Sequence, residues 1–140
     1  MACLDKSEVN SLIGLPYEKG GMGPRAFDCW GLTRHVQKQF FGRDLPIVLV
    51  DRRDIRAVVE TFRSVEERRN WCPRRKDERP KAGDLVTMVR VGDERHIGTW
   101  LDFDAGGILH ALEGWGVCFD ARAVLHTQGW TRLVFYGWAN

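Results

Sequence analysis

The chain is 140 residues long, 44% hydrophobic and 29% charged, with a formal net charge of +2. That length suffices for a single domain over 1–140 with its own apolar core, and so slight an excess of positive charge excludes the concentrated basic face that nucleic-acid binding requires. No apolar run is long enough to cross a bilayer, and the opening MACLDKSEVN lacks the basic and hydrophobic regions of a signal peptide, so neither membrane insertion nor signal-led export is expected.

From Asp5 to Ile13 the pattern predicts a short helix: Asp5 is placed as N-cap, Glu8 follows three residues on, and Val9, Leu12 and Ile13 make an apolar face. Gly20-Gly21-Met22-Gly23-Pro24 then predicts a loop that delivers the chain to Cys29. Cys29, Leu32, Val36 and Phe40 recur at helical spacing, with Asp28 placed to cap the start and Gly42 just past the end. A second amphipathic helix is expected over 55–65. Residues 68–81 are charged and aperiodic, which predicts a solvated, flexible connection that could act as a lid. Short β runs follow at Leu85–Val89, His96–Leu101, Ile108–Ala111, Val117–Phe119 and Arg132–Tyr136. Helices first and an antiparallel sheet afterwards predict an α+β domain.

Cys3, Cys29, Cys72 and Cys118 are scattered without a CxxC pair, so neither a zinc cage nor a disulfide framework is expected, and no metal or other cofactor is implied. Cys29 is the one that falls in the first turn of a predicted helix. There the helix N-terminus favours the thiolate, which predicts a lowered pKa and faster alkylation than at the other cysteines. A small buried residue starting a helix is the blander reading of such a cysteine. Thiolate attack on an amide also needs a base that can return a proton to the leaving amine, and histidine suits both tasks near neutrality. His35 reads as a surface residue and His126 as part of a turn. His96 opens one β run and His110 ends the next, so adjacent antiparallel strands could bring the two imidazoles within hydrogen-bonding reach.

Leu15-Pro16-Tyr17, Phe27-Asp28-Cys29-Trp30-Gly31-Leu32, Ala82-Gly83-Asp84-Leu85-Val86, His96-Ile97-Gly98 and Ile108-Leu109-His110-Ala111 resemble, in that order, the successive motifs of the NlpC-type cell-wall cysteine peptidases. The resemblance is closest to the phage-tail and gene-transfer-agent branch. It implies a papain-like fold, with N-terminal helices packed on an antiparallel sheet. It also implies a substrate, the peptidoglycan stem peptide, usually cut between D-glutamate and the diamino acid. Position by position, Cys29 matches the nucleophile, His96 the general base and His110 the third polar residue of a Cys-His-His triad. Tyr17 matches the tyrosine whose hydroxyl faces the nucleophile, although a half-buried structural aromatic remains open there. Trp30 stands where many free-standing members carry serine, which makes Trp30 a candidate substrate contact. Asp28 is a second: in some relatives that residue meets a free amine, whereas helix capping is its commoner job.

The resemblance further implies a protein made in the cytoplasm without a signal peptide and carried to the cell wall in a phage or phage-like particle, beside other tail proteins. Two alternatives stay open. One is a tail-tip assembly protein with vestigial activity, and the other an amidase or acyltransferase on the same scaffold.

Overall fold

Two helices lead the chain in the structure, a computed structural model that describes residues 5–45, 70–90 and 94–139. Helix α1 (Lys6–Leu12) starts where the Ser7 N–H donates to the Asp5 side chain, and it buries Val9 and Leu12. Helix α2 (Cys29–Phe41) starts where the Gly31 N–H donates to Asp28. It ends at Gly42, whose left-handed backbone (φ 66°) turns its N–H onto the Gln37 and Lys38 carbonyls. Both helices carry the caps expected from the sequence. The amphipathic stretch expected at 55–65 lies outside the described residues, as does Cys3.

Among the described residues six strands follow: β1 (Trp71–Pro73), β2 (Leu85–Arg90), β3 (Glu94–Leu101), β4 (Gly107–Leu112), β5 (Gly116–Asp120) and β6 (Thr131–Trp138). They form one sheet in the order β1-β6-β2-β3-β4-β5, every neighbouring pair antiparallel. A short helix α3 (Arg122–Thr127) joins β5 to β6. The result is the expected α+β, papain-like architecture.

Two elements depart from the sequence reading. Residues 70–81 are not simply a solvated connection. Trp71 is buried beside Tyr136, β1 pairs with the end of β6, and the Arg74 guanidinium donates twice to the buried Asp84, at 2.9 Å through Nη2 and again through Nε. These partners lie far along the chain, so no local pattern announces them. His126 sits in the last turn of α3 and not in an open turn; that helix buries only Leu125, too little to leave a periodic signature.

Alternation along the strands divides the core. On one face, Leu32 and Val36 of α2 and Val9 and Leu12 of α1 pack with Leu101, Leu109, Ala111 and Val117. On the other, Val86, Met88, Trp100 and Ile108 pack with Leu125, Trp130 and Phe135. Trp30, Leu45, Trp71, Leu85, Ile97 and Tyr136 form a third cluster, against which Cys29 rests. Helix α2 thus lies on the odd-numbered side of β3, and α3 covers the even-numbered side.

The first turn of α2 lies hard against the glycine-rich loop. A Cβ added at Gly31 would come within 2.0 Å of the Gly21 carbonyl oxygen, and the Asp28 N–H donates to that same oxygen at 2.9 Å. Helix propensity alone would make Gly31→Ala stabilising by about 1 kcal/mol. The close approach reverses the sign, and we expect the variant to lose about 1–3 kcal/mol, the range for overpacking a tight contact. Urea denaturation of both proteins reads this; a more stable variant would contradict the packing described.

Candidate active site

Tyr17, Cys29 and His96, together with Arg90, Ala111, Leu112, Glu113 and Trp115, line one groove of about 230 Å³. Each side chain arrives by a different route. Cys29 is the first residue of α2, presented by the Asp28 cap. Asp28 is buried, and both its oxygens are taken by backbone donors: Gly31 N–H at 2.6 Å and Gly20 N–H at 3.1 Å. It therefore starts the helix and holds the glycine loop at once. Tyr17 comes from the strand-like start of that loop, bridged to Phe27.

His96 lies on β3 and His110 on β4, both facing the even-numbered side of the sheet and both buried. Their rings meet edge to face, with His96 Nε2 2.8 Å from His110 Nδ1. On its far side His110 Nε2 lies 2.8 Å from Asp120 Oδ2. Asp120 reaches it because His110 pairs with Cys118 across the β4–β5 ladder, and Asp120 is the next residue of β5 on the same face. Gly98 leaves room for this packing: a Cβ there would stand 3.0 Å from the His110 Cβ. Trp130 stacks on the other side of the His96 ring, centroids 5.2 Å apart and planes at 27°.

Cys29 comes from the α2 side of the sheet and His96 from the other, and both line the groove near the end of the β3–β4 ladder. The β3–β4 ladder runs from Leu101↔Gly107 to Thr99↔Leu109, and His96 lies beyond its end. There the Ile97 backbone N–H turns to the Cys29 thiol, joined by the N–H groups of Cys29 and Trp30. These donors favour the thiolate, yet they do not prevail. Burial and then the Asp28 carboxylate push the thiol up to about 12. The direction is therefore opposite to that expected from the helix N-terminus, first because the thiol is desolvated and then because the acidic cap that creates the terminus also repels the anion. His96 moves the other way: burial, His110 and Arg90 hold its pKa well below 6.5. Tyr17 is raised to about 12, mainly by burial and then by Cys29, so it stays a phenol that can donate. Burial and then Asp28 thus favour the neutral thiol, and burial with His110 and Arg90 the neutral imidazole.

Of the residues singled out from the sequence, Cys29, His96 and Tyr17 line the groove, and His110 touches it through His96. Trp30 does not line it; only 7% exposed, it packs in the core with Trp71 and Ile97. The exposed aromatic at the rim is Trp115, 78% accessible at the β4–β5 turn. His35 packs against the Phe27 ring, half-buried. The sequence reading passed over Asp120 and Trp130. The signal for Asp120 was its even spacing from Cys118 along a β run, legible only once that run's pairing to His110 is known. Among the described residues no cluster of histidine, cysteine and carboxylate side chains could hold a metal ion.

Comparison with known proteins places this architecture. The NlpC/P60 family model matches residues 14–137. Protein P54 of Enterococcus faecium is 29% identical over 105 residues, which cover 75% of this chain but 17% of that protein. The crystal structure of the NlpC/p60 domain of the peptidoglycan hydrolase SagA superposes with a TM-score of 0.57 at 25% identity, covering 92% of each chain. A lipoprotein-like NLP/P60 family protein of Staphylococcus aureus shares the fold, with a TM-score of 0.54 at 22% identity over 91% of this chain and 38% of that one.

Asparagine caps a helix about as well as aspartate but carries no charge. We therefore expect Asp28→Asn to move the pH midpoint of Cys29 alkylation downward while costing about 1–3 kcal/mol of stability, because the amide keeps the cap to Gly31 but turns its NH2 toward the Gly20 N–H. An unchanged midpoint, read by mass spectrometry of the alkylated peptide, would show that Asp28 does not hold the thiol protonated. Stability should also fall at both ends of the pH range. The unfolded chain protonates His96 as pH drops through 6.5 while the folded chain resists. It ionises Cys29 as pH rises through 9.0 while the folded chain resists until about 12. Thermal melts against pH should show both losses, with a shallower alkaline limb in Cys29→Ser.

Proposed function

The chain belongs to the NlpC/P60 family, and from that premise we propose that it is a cysteine peptidase hydrolysing peptidoglycan stem peptides, with Cys29 as nucleophile, His96 as general base and His110 orienting His96. The observation that carries the reading is the meeting, in one groove, of a helix-starting thiol with an imidazole whose other nitrogen is engaged by a second histidine. The relatives' own descriptions support it, since SagA is a peptidoglycan hydrolase.

Because the thiol rests protonated, proton transfer accompanies attack. As Cys29 Sγ bonds to the carbonyl carbon, its proton passes to His96, and the carbonyl oxygen becomes an oxyanion that the Cys29 backbone N–H can receive. The Tyr17 hydroxyl stands beside the nucleophile as a further donor. Collapse of the tetrahedral intermediate expels the amine, which takes the proton from His96 and leaves a thioester on Cys29. Water, deprotonated by His96, then hydrolyses the thioester and frees the enzyme. Arg90 and Glu113 bring opposite charges to the groove, suited to a substrate that carries both a carboxylate and an amine.

Following the sequence resemblance, we assign the scissile bond to the D-glutamyl–diamino acid linkage. The same resemblance, to a branch whose members are similarly short and end with a stretch like His110-Ala111 through Gly116-Val117, supports action at the wall within a phage-tail or gene-transfer-agent particle. The test is digestion of purified peptidoglycan by wild type beside Cys29→Ala, with released fragments identified by mass spectrometry. We expect new D-glutamate carboxyl ends and diamino acid amines from wild type only. Equal release from both proteins would remove Cys29 from the chemistry; ends at another bond would retain the peptidase and replace the substrate assignment.

A further inference from the structure

We propose that Asp120 is a positioning residue that fixes the tautomers of both histidines, so that His96 presents a bare Nδ1 to Cys29. The proposal rests on the assignment of His96 as base and extends it to a residue two strands away.

A carboxylate only accepts. With Asp120 Oδ2 2.8 Å from His110 Nε2, that nitrogen must carry a hydrogen and donate it. Neutral imidazole has one N–H, so His110 Nδ1 is bare and must accept. Its partner at 2.8 Å is His96 Nε2, which must therefore be the donor. His96 has then spent its single hydrogen, and its other nitrogen, Nδ1, carries a lone pair. With both rings neutral, the chain of donors can run only this way, and burial, His110 and Arg90 oppose a proton on His96.

Without the carboxylate, the 2.8 Å contact between the two rings suits the reverse arrangement equally well. His110 would then carry its hydrogen on Nδ1 and donate to a bare His96 Nε2, leaving His96 with an N–H facing the thiol. Such a ring cannot take the Cys29 proton. Asp120 breaks this symmetry. It sits where a terminal acceptor has to sit: on an adjacent strand, on the same face, with its side chain 22% exposed and so spared a full desolvation cost. During attack the proton leaving Sγ arrives on Nδ1, and the imidazolium so formed donates to His110, whose ring is polarised in turn by Asp120.

The test reads tautomers directly and needs no peptidoglycan, so it can fail independently of the substrate assignment. Wild type, Asp120→Asn and Asp120→Glu are labelled with ¹⁵N-histidine, and long-range ¹H–¹⁵N correlation at pH 7.5 locates the ring hydrogens. Cys29 alkylation by iodoacetamide is timed in the same samples, and thermal melts confirm folding. In wild type we expect His96 to be protonated at Nε2 and bare at Nδ1. The amide of Asp120→Asn can donate or accept, so hydrogen should appear on His96 Nδ1. Alkylation should slow in proportion to the population that loses its lone pair, at least about twofold if the two tautomers become equal and up to about 10⁴-fold if the amide enforces the wrong one, as in a serine-protease triad. Asp120→Glu should restore the wild-type tautomer. The proposal is overturned by a hydrogen on His96 Nδ1 in wild type, by identical spectra in Asp120→Asn, or by a tautomer change that leaves the alkylation rate untouched.

Discussion

The Asp28 carboxylate, held between the N–H groups of Gly31 and Gly20, is the constraint on which the site depends. A buried charge is tolerated only with hydrogen-bond donors around it, and here the donors come from two different segments. Accepting from Gly31 starts α2 and places Cys29 at its head. Accepting from Gly20 pins the loop that carries Tyr17 and lays the Gly21 carbonyl against Gly31. Those bonds fix the nucleophile's position, and the charge that forms them also sets its protonation. Burial first and the anion beside Cys29 second push the thiol pKa up against the N–H groups around it, which favours a thiol that needs a base.

The sheet supplies that base by a geometry quite separate from the helix. Met88 pairs with His96 and His110 with Cys118, Asp120 follows Cys118, and all five share one face of the sheet, with the two histidines diagonal to each other across β3 and β4. A row of this kind inherits the rigidity of the ladder hydrogen bonds, and Trp130, stacked on the His96 ring, removes its remaining rotational freedom. The row faces away from α2. It becomes useful to Cys29 only because β3 and β4 part beyond Thr99↔Leu109, which frees the Ile97 N–H for the thiol and opens the His96 ring to the groove. The end of a ladder, usually a place of lost hydrogen bonds, here becomes the place where two faces of the sheet meet.

Much of this was legible in the sequence, for identifiable reasons. Caps and helical spacing announce α1 and α2 because those signals are local: Asp5, Asp28 and Gly42 each act within one turn. Alternating apolar runs announce β2 to β6, and the meeting of His96 with His110 follows from adjacent antiparallel strands. What escaped depends on distant partners. Strand β1 exists because Trp71 finds Tyr136 and Arg74 finds Asp84, and Trp30 is buried because Trp71 and Leu45 close over it. Asp120 has no local mark of its role, since only the β4–β5 register puts it behind His110. The Cys29 pKa was misread for a related reason: a cap visible in the sequence implies a helix N-terminus, but the balance between that terminus, burial and the capping charge depends on packing.

The central claim is that Cys29 rests as a thiol and gives up its proton to His96 only as it attacks. The most direct measurement is an NMR titration of protein labelled with ¹³C at the cysteine Cβ, following the Cys29 resonance from neutral pH into the alkaline range. The account predicts a thiol signal unchanged through pH 8, with ionisation well above the ordinary value of 9.0 and toward 12. A thiolate signal already present at pH 7 would contradict it, and would mean that the helix N-terminus and its N–H groups outweigh Asp28 after all.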